Sequence, residues 1–286
     1  MADDAPATGS RAARVVEKAT GISDLAATTT AAGTAAIART QADDGTVTAT
    51  APKDAAGAVK ITAPDGTTAS LGLPQDHATH GTQAGDGTVV YPDAAKNTDI
   101  AVQLTDDGGA RALTTLKNAQ APTQQRYELN LPQGTEAVAN EDGGYDLVRK
   151  VTNDSPAVAV GAIDAPWAKD AGGNKVPTSY KLEGNTLIQQ VNTTEETAFP
   201  VVADPKFTWG WVTGTVYFNK SETRKIANNG YMAATLIALG PWGWVGPSAA
   251  TVSYWTWMAN KAKNSRQCLK IKSTLKADKY KGGYCR

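Results

Sequence analysis

From Ile226 to Asn260 the chain contains no Asp, Glu, Lys or Arg, and basic residues crowd both ends of the run. At its centre is "GYMAATLIALGPWGWVGPSAATVSYWTWMAN", Gly230 to Asn260. A segment this poor in charge has to leave water, either for the interior of a small domain or for a lipid interface. A helix that crosses a bilayer needs about 20 consecutive apolar residues. Gly240-Pro241 and Gly246-Pro247 interrupt the run before either arm reaches that length, so an ordinary spanning anchor is not expected. The pattern predicts two short helices. Asn219 or Ser221 caps the first, with Glu222 in its opening turn, and it runs to about Leu239. Trp242 to Gly246 forms the connection, and Pro247-Ser248 starts the second helix, which runs through about Lys263. Such a hairpin can be plain core, because a domain of about 80 residues needs most of its apolar residues inside. It can equally sink part-way into a bilayer, since indole rings favour the membrane interface.

Charge separates this end of the chain from the rest. Met1 to Pro205 carries 15 Lys and Arg against 26 Asp and Glu, a net of −11, whereas Lys206 to Arg286 carries 13 against 2, a net of +11. The overall formal charge of zero is the average of an acidic body and a basic end. Tryptophan follows the same division, with six of the seven residues after Lys206. Both cysteines, Cys268 and Cys285, lie there too, and a Gly282-Gly283 turn can bring them together as a disulfide, which implies an oxidising, extracellular setting. Closing a loop of that length stabilises by about 3 kcal/mol in the chain-entropy model.

Upstream, Val15, Val16, Ile22, Leu25 and Ile37 fall at helical spacing between Ser10 and Arg39, which predicts one or two helices. Beyond Asp43-Asp44-Gly45 the chain becomes short alternating runs divided by Asp65-Gly66, Asp107-Gly108, Asp142-Gly143 and Glu183-Gly184-Asn185, the grammar of β-hairpins. The expected fold is therefore α+β: a helical segment over 1–44, an acidic antiparallel, sandwich-like β body over 45–205 and a basic Trp-rich disulfide domain over 206–286, built as a helical hairpin with strands. The composition break makes Asp204, Pro205 and Lys206 a candidate processing linker, open to a protease. The opening "ADDAPATGS" reads as the start of a mature exported chain with its signal peptide absent and a methionine added.

Motifs for catalysis are missing. The sequence contains no HExxH, GxSxG, Walker loop, dinucleotide fingerprint or CxxC pair, so a non-enzymatic protein without a cofactor is expected. His77 and His80 are the only histidines and would bind a metal only with ligands from elsewhere; no metal site is expected. "TDD", "NEDGG" and "KDAGGN" lack the ligand spacing of a calcium loop and read as turns.

The stretches "VVYPDAAKNTDIAVQLTDDGGARALTTLKN", "YELNLPQGTEAVANEDGGYDLV", "IDAPWAKDAGGNKVP" and "FPVVADP" resemble a β-rich module of secreted actinobacterial proteins. In those proteins the module precedes varied C-terminal domains, some of them toxin-like. The sequence from "WGWVTGTVYFNKSETRKIA" to "YCR" resembles small exported cationic domains, some bacteriocin-like. The resemblance implies secretion and modularity and brings no site residue with it. Together the residues predict a carrier or precursor whose acidic body masks, by intramolecular contact, a cationic end directed at an anionic membrane or cell envelope. The expected contact residues are Trp242, Trp244, Trp255 and Trp257, with Lys220, Arg224, Lys225, Lys261, Lys263 and Arg266 around them. Lysines of the tail and Tyr280 or Tyr284 have the chemistry for nucleic acid, but an exported protein meets envelope polyanions instead. The other expectation is an extracellular binding, inhibitor or cell-wall-associated protein whose hairpin is core.

Overall fold

Alternation of apolar and polar side chains is realised as antiparallel pairing through most of the chain, giving a mixed helix-and-strand protein dominated by β-structure. The computed structural model describes residues 5–42, 45–150, 152–153, 155–210, 214–238 and 247–286. The chain divides into two units, Met1–Pro132 with Ile163–Gly210, and Gln133–Ala162 with Trp211–Arg286.

In the first unit seven strands pair antiparallel in the order Thr34–Ala42, Gly45–Pro52, Ala58–Thr62, Thr68–Gly72, Gln124–Asn130, Thr186–Val191, Thr178–Glu183. Val47, Ala49 and Ala51, then Val59 and Ile61, are buried at every second position, the two-residue period of a sheet with one inner face. Gly66 turns one of these hairpins at a φ of 82°, a conformation that other residues adopt at a cost. A second meander runs Thr82–Ala84, Thr88–Ala95, Thr98–Leu104, Ala110–Leu116. Thr98–Leu104 is buried at all seven positions, so both its faces must be covered. Strand Gly45–Pro52 packs on one side. On the other lies helix α1 (Ala5–Thr20), whose Ala12, Ala13 and Val16 meet Val90, Ala101 and Leu113.

Of the one or two helices expected between Ser10 and Arg39, one forms. Gly21, at φ 80°, takes the chain out of α1, with its N–H donating to Glu17 O at 2.8 Å. Thr34–Ala42 is a strand instead, because Gly45–Pro52 offers it a full ladder and Ala36 and Ala38 alternate into the core. Within the expected segment 1–44, the described residues 5–42 thus form one face and one edge of the first unit.

The candidate linker also needs correction. Val201–Ala203 and Lys206–Trp209 both run along Ala110–Leu116, in the registers Val201↔Leu116 and Lys206↔Arg111. Asp204 and Pro205 are a short interruption in that ladder, and Pro205 O still accepts from Ala112 N at 2.8 Å. Asp204 is fully buried, and Lys206 is tied to Asp107 Oδ2 at 2.5 Å. Trp209 is buried as well and donates from Nε1 to Thr67 O at 3.2 Å. A change in composition marks this point, but the backbone there is sheet.

The second unit joins a piece of the acidic body to the basic end. Ala277–Tyr280, Cys268–Lys272, Thr215–Tyr217 and Ala157–Ile163 lie side by side, and Thr135–Ala139 with Tyr145–Lys150 adds a hairpin. Helices α2 (Lys220–Asn228), α3 (Tyr231–Ala238) and α4 (Ala249–Asn264) complete it. The expected first arm is therefore broken at Asn229-Gly230, where a Cβ on Gly230 would stand 2.1 Å from Thr256 Oγ1. The corner Trp242 to Gly246 lies outside the described residues. Two clusters form the core: Val216, Phe218, Ile226, Trp255, Leu269 and Ile271 beneath the helices, and Val138, Val148, Ala157, Tyr217 and the two cysteines beneath the hairpin.

Candidate functional site

Helix α2 begins where sequence places it. Asn219 is its N-cap: Asn219 Oδ1 accepts from Glu222 N at 2.9 Å, and Glu222 Oε2 accepts from Asn219 N at 2.8 Å, a complete capping box. Burial pushes the Glu222 carboxyl above the usual carboxylate range, opposed by the Asn219 N–H, by Lys150 at 3.9 Å and by the Tyr284 hydroxyl. Thr223, Ile226 and Ala227 face the core, which leaves Lys220, Arg224 and Lys225 on the outside.

Ser248 caps α4, its Oγ accepting from Thr251 N at 3.2 Å. Val252, Trp255, Ala259 and Ala262 repeat every three to four residues and are buried. Trp255 fills the core and donates from Nε1 to Leu275 O at 3.0 Å, so this indole does not belong to an exposed contact surface. Trp257, two residues on, is rotated by about 200° around the helix and is 52% exposed. Lys261 Nζ stands 4.2 Å from the centre of the Trp257 ring, and the Tyr254 ring centre lies 6.2 Å from it. This outer stripe combines an accessible indole, a phenol and an ammonium in cation–π contact. Tyr231, at the start of α3, is 61% exposed.

Four of the five other expected basic residues gather at one end of the helical layer. Lys220 and Arg224 of α2, with Lys263 of α4 and Arg266 just beyond it, line a cavity of about 230 Å³ together with Thr223 and Gln267. Lys225 is exposed but does not line it. Trp242 and Trp244 lie outside the described residues. Cys268 and Cys285 form a disulfide, with Cα atoms 5.5 Å apart, that fastens the chain end to the sheet of the second unit.

Tyr254 and Tyr231 were not singled out from sequence, nor were the cavity residues Thr223 and Gln267. The signal for Tyr254 was present, since a helix over 249–264 puts 254, 257 and 261 in one stripe and 255 opposite them. His80 pairs with Asp54 through Nδ1, and among the described residues no group of three or more His, Cys, Asp or Glu is placed to hold a metal. No described helix is long and apolar enough to cross a membrane. Comparison with known proteins brings no match: no family model, curated protein or solved structure matches the chain.

Proposed function

We propose that this is a secreted, non-enzymatic protein of the modular kind that its sequence resembles, and that its second unit is a cationic, membrane-active effector carried by the acidic first part. The observation that carries this reading is the α4 stripe, where Trp257 is half exposed beneath the Lys261 ammonium and beside Tyr254. A well-packed soluble unit gains nothing from leaving an indole in water, whereas an interface between lipid and water suits a ring with an apolar body and a polar edge. Each basic residue near an anionic lipid surface adds about 1 kcal/mol of attraction. Four such residues bound the cavity at the end of the helices, and Lys261 and Lys225 add two more. In this reading the Trp-bearing segment around Trp242 and Trp244 enters the interface with Trp257. This reading does not place its trigger at Asp204 to Lys206, because Asp204 and Pro205 are buried between two strands that both pair with Ala110–Leu116.

Trp255 favours a second reading. Its burial and its hydrogen bond to Leu275 make the uncharged segment partly core, as expected for a rigid extracellular binding or cell-wall-associated protein. One titration separates the two. The full chain, added to vesicles of phosphatidylglycerol in phosphatidylcholine, is expected to bind and to release trapped dye, and Trp257→Ser is expected to weaken binding about tenfold. Parent protein that stays in solution with the dye retained would leave the binding-protein reading in place.

A further inference from the structure

We propose that the cavity bounded by α2 and the end of α4 is a specific site for a phosphoryl group. Lys220, Arg224, Lys263 and Arg266 line it, and the other lining residues, Thr223 and Gln267, carry no charge. Three other cations of the second unit meet carboxylates: Lys150 with Glu222 at 3.9 Å, Lys270 with Glu141 at 3.5 Å, and Arg286 with Glu136. Among the described residues these four have no carboxylate partner. Like charges held around one small space repel each other, and an anion placed among them removes that repulsion.

The residue types select the anion. Two guanidinium forks can each donate paired N–H groups to two oxygens of a tetrahedral oxyanion, while the lysines supply mobile point charges. Thr223 is a wall and not a ligand, because its hydroxyl donates to Phe218 O at 3.5 Å and accepts from Leu269 N at 3.0 Å. A volume of about 230 Å³ lies below the roughly 300 Å³ at which drug-sized ligand pockets begin. It suits a single phosphoryl group. A doubly charged phosphate also gains more from four cations than a carboxylate does.

Arg266 strengthens the assignment. The end of α4 is a Schellman turn, with Gln267 N donating to Ala262 O at 2.9 Å and Arg266 N to Lys263 O at 3.1 Å. Arg266 holds its left-handed position at φ 56°, where glycine is the residue of least strain. The turn alone gives no reason for arginine, and an anion in the cavity does.

This site does not depend on membrane disruption, so the two ideas fail separately. Inorganic phosphate is titrated into the full chain by calorimetry at constant ionic strength, with chloride as the balancing salt. Saturable binding to one site is expected. The double variant Arg224→Gln, Lys263→Gln is expected to bind at least tenfold more weakly. Arg266→Gly is expected to lose affinity several-fold with an unchanged or higher Tm, which excludes misfolding as the cause. Binding that never saturates, or that both variants leave intact, overturns the proposal. Vesicles of phosphatidic acid in phosphatidylcholine then identify the source of the group. Vesicle binding that the double variant weakens tenfold assigns the site to a lipid headgroup. Vesicle binding that persists while phosphate binding is lost assigns it to free phosphate or a soluble phosphomonoester.

Discussion

Asp204 holds a carboxyl group that water does not reach. Its Oδ1 accepts from the Trp167 N–H at 2.9 Å, the Tyr180 hydroxyl at 3.1 Å and the Gln189 amide at 3.3 Å, while Oδ2 has no protein partner among the described residues. Burial outweighs these donors and raises its pKa to about 7. An aspartate in the unfolded chain titrates near 4. Between about pH 4 and pH 7 the folded protein therefore keeps a proton that the unfolded chain has lost, and stability falls as the pH rises through that window. At about 1.36 kcal/mol per pKa unit the loss is roughly 4 kcal/mol, complete once the acid is ionised in both states. Asp24 beside Arg111 and Asp107 beside Lys206 are shifted down, so their contribution is lost only as the pH drops below about 4. Asp204→Asn is thus expected to flatten the fall in urea midpoint between pH 5 and pH 8, and an unchanged fall would assign the effect to another group. None of this was legible in the sequence. Asp-Pro is a turn signal, the net charge reverses there, and neither property reports that flanking residues continue a ladder on both sides. Trp255 and Trp257 could not be told apart for a different reason. Composition counts indoles, whereas burial depends on their phase around α4.

Elements with a strong local signal were readable in advance. Asn219 with Glu222 three residues later forms a box that needs only adjacent backbone, and α2 starts there. The start of α4 at Ser248 and the hairpin glycines follow for the same reason. Thr34–Ala42 did not, because alanine-rich sequence favours a helix in isolation and only its partner Gly45–Pro52 makes it a strand. The disulfide was legible from two cysteines with a Gly282-Gly283 turn between them. It closes a separation of 17 residues, and its removal in Cys268→Ala, Cys285→Ala is expected to lower the stability of the second unit by about 3 kcal/mol. Near-UV circular dichroism during guanidinium unfolding reads this directly, with dithiothreitol-treated parent protein as the matching case. A midpoint indifferent to both treatments would mean that packing of Tyr217, Tyr280 and Val138 around the cysteines, and not the covalent link, holds the chain end in place.

Across the whole molecule, the boundary drawn by composition and the boundary drawn by packing differ by a hairpin and the strand that follows it. Residues 133–162 read as acidic body, yet they supply Val138, Val148, Ala157 and Ala159 to the core that surrounds the disulfide. They also pair Ala157 and Val158 with Tyr217 and Val216, and bring Asp146 to the Tyr217 hydroxyl, Glu141 to Lys270 and Glu136 to Arg286. Net charge along a sequence could not reveal this. Opposite charges that neutralise each other in space are read as two separate blocks when they are distant in the chain. The consequence is specific. A fragment of residues 206–286 lacks one neighbour of the strand Thr215–Tyr217 and half of the cluster around Cys268, leaving backbone groups and tyrosines without their partners. It is expected to lose its near-UV circular dichroism, to bind 8-anilinonaphthalene-1-sulfonate and to unfold without a cooperative transition, the signature of a collapsed chain without fixed packing. A fragment of 133–286 keeps both pieces in one chain and is expected to recover a sharp transition. If 206–286 instead unfolds cooperatively with a native-like near-UV spectrum, the hairpin is an accessory to the second unit and the break at Lys206 is a true structural boundary. If it does not, any release of the cationic end must carry Gln133–Ala162 with it, and a single cut near Pro205 cannot set it free.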